Sequence, residues 1–130
     1  MKYIVEFWED QRIVAATAEG EWDSTSDNGM VHEILATVDA HGGAKVLLDI
    51  RALHFNLPMF QLFERVREMR EQRSQFGRVS TKAAIIYSDA NPKIEEDMQF
   101  FQTAARNRGL PYRVFKDIET ALAWLTGEQS

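Results

Sequence analysis

Residues 44–50 read AKVLLDI. A strand with one solvated face alternates apolar and polar side chains. A run this nearly continuous marks a strand covered on both faces, and hence a parallel sheet carrying helices. Residues 81–87, TKAAIIY, repeat the pattern. Between the two runs the spacing predicts a long helix from about Leu57, with Pro58 in its first turn, where a missing N–H costs nothing. Met59, Leu62, Phe63, Val66 and Met69 fall on its inner face, and Arg65, Arg67, Arg70 and Arg73 mostly on the outer one, with Glu64, Glu68 and Glu71 among them. Gly77 marks its end.

Reading outward from this unit completes the chain. Ser88-Asp89-Ala90-Asn91-Pro92 has the chemistry of a helix cap, and Ile94, Met98, Phe101 and Ala105 follow as one stripe. Gly109-Leu110-Pro111 ends that helix. YRVF at 112–115 alternates, as a strand near a sheet edge does, and Asp117 caps a last short helix with Ile118, Ala121, Leu122 and Leu125 inward. Toward the N-terminus, YIVEFW at 3–8 and RIVAATA at 12–18 are joined by EDQ, which predicts an antiparallel hairpin ended by Gly20. Ser24, Thr25, Ser26 and Asp27 are cap residues for a helix with Val31, Ile34, Leu35 and Val38 on one face, stopped at His41-Gly42-Gly43. The predicted fold is α/β, a single mixed sheet in which an antiparallel N-terminal hairpin precedes parallel β-α units. One domain should span 1–126, with 127–130 a flexible tail.

Composition narrows the chemistry. The 130 residues are enough for one domain and a sizeable core. With no cysteine, disulfides, zinc–thiolate sites and thiol catalysis are excluded, and a reducing, cytoplasmic setting is expected. The N-terminus lacks the apolar core of a signal peptide, and no run approaches the roughly 20 residues of a membrane span. A net charge of −5 disfavours nucleic acid as a partner. That charge is uneven: residues 1–40 hold nine acids and two bases, whereas 41–82 hold eight bases and four acids. The simplest reading seats the acidic segment against the basic helix.

Several stretches together resemble the SpoIIAA-like family, relatives of the STAS domain and of the SEC14/CRAL-TRIO fold. They are the opening hairpin, the glycine and tryptophan of AEGEW, the strands VLLDI and AAIIY, and the closing VFKDIETALAWL. The resemblance covers nearly the whole chain and implies a β-α scaffold for binding or regulation. In the family's best-known relative, an anti-anti-sigma factor, the loop after the third strand carries an Asp-Ser-Ser-Gly type motif whose phosphorylation is the switch. Here that loop reads ALHFNLPMF, with no serine or threonine, so the phosphoserine switch does not carry over.

Ligands of such sheets gather at the carboxyl ends of the parallel strands. Those ends supply the candidate binding residues Arg51, His54, Asn56, Ser88, Asp89, Asn91 and Lys116, which with the helix N-termini should make a weakly anion-seeking edge. Asp49 resembles a phospho-acceptor with Lys116 as its lysine, but reads more simply as a buried acceptor for loop N–H groups. His54 with Ser88 and Asp89 could be forced into a hydrolase set, but the serine lies outside a G-x-S-x-G elbow. No catalytic residue, metal site or cofactor is expected; His32 and His41 lack metal spacing. The first expectation is a non-enzymatic binding or regulatory module with a protein or small-ligand partner, a second copy of the chain being a further candidate. The alternative is a carrier of small apolar ligands, with Phe55, Phe60, Phe63, Phe100, Phe101 and Met98 lining a cavity.

Overall fold

The computed structural model describes residues 1–76, 82–88 and 92–127. Gly77, Thr81, the capping residues Asp89, Ala90 and Asn91, and the tail at 128–130 lie outside the described residues. The elements run β1 (Lys2–Trp8), β2 (Ile13–Glu21), α1 (Ser24–Ala40), β3 (Lys45–His54), α2 (Met59–Arg73), β4 (Ala83–Ile86), α3 (Pro92–Asn107), β5 (Tyr112–Phe115) and α4 (Ile118–Thr126).

The strands form one sheet in the order β1-β2-β3-β4-β5. Only β1 is antiparallel to its neighbour; β2, β3, β4 and β5 are parallel throughout. The hairpin's second strand is thus also the first strand of a β-α-β unit. Each crossover steps to the next strand in the same direction, and right-handed crossovers of that kind leave their helices on one face. Val14, Ala16, Val46, Ile85 and Val114 point to the face that α1, α2 and α3 cover. Ile13, Ala15, Leu47, Ala84, Ile86 and Phe115 point to the other, where Ala121 and Leu125 of α4 meet them. This two-sided cover is what the continuous runs at 44–50 and 81–87 require.

Four details depart from the sequence reading. The cap of α1 is Asp23, whose carboxylate accepts from the Ser26 N–H at 2.7 Å, so Ser24, Thr25, Ser26 and Asp27 belong to the helix itself. Pro58 is the N-cap of α2 rather than a first-turn residue, its ψ of 151° being extended. Gly20 does not end β2; it pairs with Leu53 at a φ of +90°, a conformation glycine takes without a Cβ penalty. Arg51, Ala52, Leu53 and His54, expected in a loop, continue β3 alongside β2.

The last difference has a local cause. Thr17 pairs with Asp49 but Glu19 pairs with Ala52, so β3 holds one extra residue at this point. Such a bulge resets which side chains face inward. Leu48 and Ile50 pack toward the helices before it, and Leu53 does so after it.

Leu47 is 3% exposed on the α4 side of the sheet. Leu47→Ala should lower the unfolding free energy by about 2–5 kcal/mol, a transfer loss plus a cavity. Urea denaturation measures it, and a loss below about 0.5 kcal/mol is incompatible with a strand covered on both faces.

Candidate functional site

The carboxyl ends of the parallel strands hold a set of paired charges. Asp49 accepts from the Arg51 backbone N–H at 3.0 Å and from its guanidinium at 3.0 and 2.7 Å. Burial raises the Asp49 pKa, but the hydrogen bonds and charge of Arg51 outweigh it, and the carboxyl titrates below its ordinary value. Asp49 is thus half-buried rather than buried, and its one backbone donor is the Arg51 N–H within β3 rather than a set of loop N–H groups. Arg51 also senses Asp117, the cap of α4, whose own pKa is lowered chiefly by hydrogen bonds from Thr120.

On the neighbouring strands, Lys116 Nζ lies 3.2 Å from Glu95, and the Tyr87 hydroxyl donates to the same carboxylate at 2.9 Å. Ser88 follows Tyr87 and is half-buried. Arg51 and Lys116 each meet a carboxylate, which offsets the positive charge that the bases bring to this edge. A receiver-like pairing of Asp49 with Lys116 is replaced by Asp49–Arg51 and Glu95–Lys116.

His54 and Asn56 go elsewhere. The bulge and the extension of β3 carry His54 past the end of β4 pairing at Asp49–Ile86, and its Nδ1 lies 3.3 Å from Glu21 of β2. Among the described residues its side chain meets Glu21 and not Ser88, so the hydrolase set is not assembled. Asn56 is exposed in the loop before Pro58. Asp89 and Asn91 lie outside the described residues. Among the described residues, no group of three or more His, Asp or Glu side chains is placed to hold a metal ion, and no helix is long and apolar enough to cross a membrane.

Beneath this edge, between the sheet and α1–α3, lies an apolar cavity of about 70 Å³. Ile50, Leu53 and Phe55 bound it from β3 and its loop, Leu62 from α2, and Met98 and Phe101 from α3. Of the aromatic residues expected there, Phe55 and Phe101 line it. Phe100 packs beside the α3 cluster, and Phe60 and Phe63 are 68% and 37% exposed. With Met59, 47% exposed, they form an apolar patch at the head of α2, and Arg108 stacks on Phe63 at 3.9 Å.

The cavity wall has one polar feature, which the sequence reading missed. Arg65, assigned to the outer face of its helix, is 6% exposed, and its Nε donates to Asp27 at 2.5 Å. The Trp22 indole N–H donates to the same carboxylate at 3.1 Å, and Arg65 Nη1 reaches Glu68 at 3.2 Å. The acidic N-terminal segment and the basic helix thus do sit against each other, through this pair. Arg67, in contrast, stays on the surface between Glu64 and Glu71. The signal available for Arg65 was its place in the heptad-like row Leu62, Arg65, Val66, Met69, where a charge interrupts an inward face.

The chain has a SpoIIAA-like α/β fold. It superposes on the solved structure of the anti-sigma factor antagonist SpoIIAA in its unphosphorylated form over 97% of both chains, with a TM-score of 0.53 and 16% sequence identity. No protein-family model and no curated protein sequence matches this chain.

Removing one member of a buried ion pair strands the other. Arg65→Ala should therefore cost about 3–5 kcal/mol, while the double change Asp27→Asn with Arg65→Met, which keeps an acceptor for Trp22, should recover most of it. Additive losses in the double variant would show that the pair is not coupled.

Proposed function

We propose that this chain is a non-enzymatic binding or regulatory module of the SpoIIAA/STAS type, acting in the cytoplasm on a protein partner and without a phosphoserine switch. The observation that carries this reading is the SpoIIAA-like fold over 97% of the chain, since SpoIIAA itself is an anti-sigma factor antagonist. The absence of any hydroxyl in ALHFNLPMF, which runs from the end of β3 to the start of α2, supports the absence of the switch. The contact surface in this reading is the strand-end edge around Arg51, Ser88 and Lys116 together with the exposed Met59 and Phe60 at the head of α2, with His54 and Asn56 beside it; Asp89 and Asn91, the other sequence candidates, lie outside the described residues. An apolar centre rimmed by charges and polar groups is the usual anatomy of a transient protein interface. Phe60→Glu tests it: exposed as it is, the residue can change without loss of fold, and retention of the captured partner should fall. Undiminished retention by Phe60→Glu and by Arg51→Glu would remove this edge from the interface.

A second reading, a carrier of small apolar ligands, rests on the cavity walled by Leu53, Phe55, Met98 and Phe101. Its volume of about 70 Å³ exceeds the 10–15 Å³ that one water needs but is below the roughly 150 Å³ that accommodates benzene. The ligand would therefore be a short apolar group, or one that widens the cavity by moving the 55–58 loop. Native mass spectrometry of the purified chain decides this. A bound organic molecule released by denaturation supports the carrier, and the bare chain mass argues for the partner-binding module.

A further inference from the structure

Among the described residues strand β1 is an edge: it pairs with β2 on one side and with no other strand of the sheet. Along it exposed and half-buried residues alternate, with Lys2, Ile4 and Glu6 exposed and Tyr3, Val5 and Phe7 packed against the cluster around α1. Ile4 is 68% exposed. An unpaired strand edge presents a row of backbone donors and acceptors, and proteins usually blunt it with a charge or proline at its centre. Here Ile4, next to the central Val5, stands exposed, and the charges Lys2 and Glu6 stand two residues to either side of it with opposite signs.

That arrangement is its own complement. In an antiparallel ladder with Ile4 on a two-fold axis perpendicular to the sheet, Lys2 faces the second copy's Glu6, Glu6 faces its Lys2, Ile4 meets Ile4, and Tyr3 meets Val5. The neighbouring registers that keep the same faces aligned centre on Tyr3 or Val5. They set Ile4 against Lys2 or against Glu6 and lose both charge pairs. Directly opposed residues are the ones whose side chains interact across a ladder, so the sequence of β1 favours one register. We propose that β1 pairs with β1 of a second copy about a two-fold axis at Ile4, joining two five-stranded sheets into one. The seam is narrow compared with obligate interfaces, so the association is weak and concentration-dependent.

The chain contains no cysteine, which makes the register directly testable in the full-length protein. Directly opposed residues of an antiparallel pair have Cα atoms about 4.5–5.5 Å apart, within disulfide reach. Under mild oxidation Ile4→Cys should give a covalent dimer rapidly. Lys2→Cys, whose copies stand four residues out of register, and Phe60→Cys, equally exposed but distant, should not. Charge reversal gives a second readout by sedimentation velocity at high protein concentration. Lys2→Glu or Glu6→Lys alone replaces both opposite-charge pairs with like-charge pairs and should weaken dimerisation by about tenfold. Mixing the two single variants, or combining both changes in one chain, should restore it. These positions are exposed, so an unchanged thermal melt verifies that each variant is folded. Cross-linking of Ile4→Cys no faster than of Phe60→Cys, or a monomer at every concentration, overturns the proposal. So does equal dimerisation of the single variants and their mixture.

Discussion

One ion pair anchors the helical face of this molecule. Asp27 and Arg65 come from helices separated by a strand and a loop, and both are almost out of water. A charge in that position is tolerated only while its partner is there, because desolvation costs several kcal/mol per ion. The pair therefore fixes how α1 lies against α2, and the backbone carbonyl of Asn28 accepting from Gln72 reinforces the same contact. Trp22 completes it by giving the shared carboxylate a neutral donor. The glycine and tryptophan of AEGEW are then understandable together. Gly20 allows the left-handed backbone at the end of β2, and the Trp22 N–H bonds to the carbonyl of His54 at 2.9 Å as its ring turns down to the cavity wall.

The bulge in β3 is the second constraint. It lets a strand that begins buried on both faces end with Leu53 inward and His54 outward, and it keeps β2 and β3 paired beyond the point where β4 stops. The cavity exists because of this overhang. β3 and its loop extend over the space between α1, α2 and α3, and Phe55 and Leu57 line it without filling it. The Lys93 ammonium, which pairs with Asp97 at 2.7 Å, also reaches the carbonyl of Leu57 at 3.3 Å and fastens the loop to α3.

Much of the fold was legible because its signals are local and periodic. Nearly continuous apolar runs in β3 and β4, the alternation in YRVF, and the Asp117 cap, which accepts from the Thr120 N–H at 2.7 Å, all report on residues a few positions apart. The candidate site was less legible because its decisive interactions are long-range. The place of Arg65 in an inward row hints at burial, but it does not identify a partner 38 residues away, and a charged residue on an amphipathic helix is ordinarily solvated. The run RALH carries turn-like polarity, so only its pairing with β2 reveals it as strand. Lys116 follows β5 directly while Arg51 lies within β3, two residues beyond its pairing with β4, and a sequence does not show that each base already faces a carboxylate.

The two faces of the sheet are covered very unequally. Three helices share one, while the other depends on α4, nine residues long and last among the elements. Ile13 and Ala15 on β2 wait for Ala121 and Leu125, more than a hundred positions later. On the ribosome every strand emerges before the helix that shields this side. The nascent chain therefore carries an open apolar sheet surface until α4 has emerged, the interval in which a chaperone or a neighbouring nascent chain has most to bind.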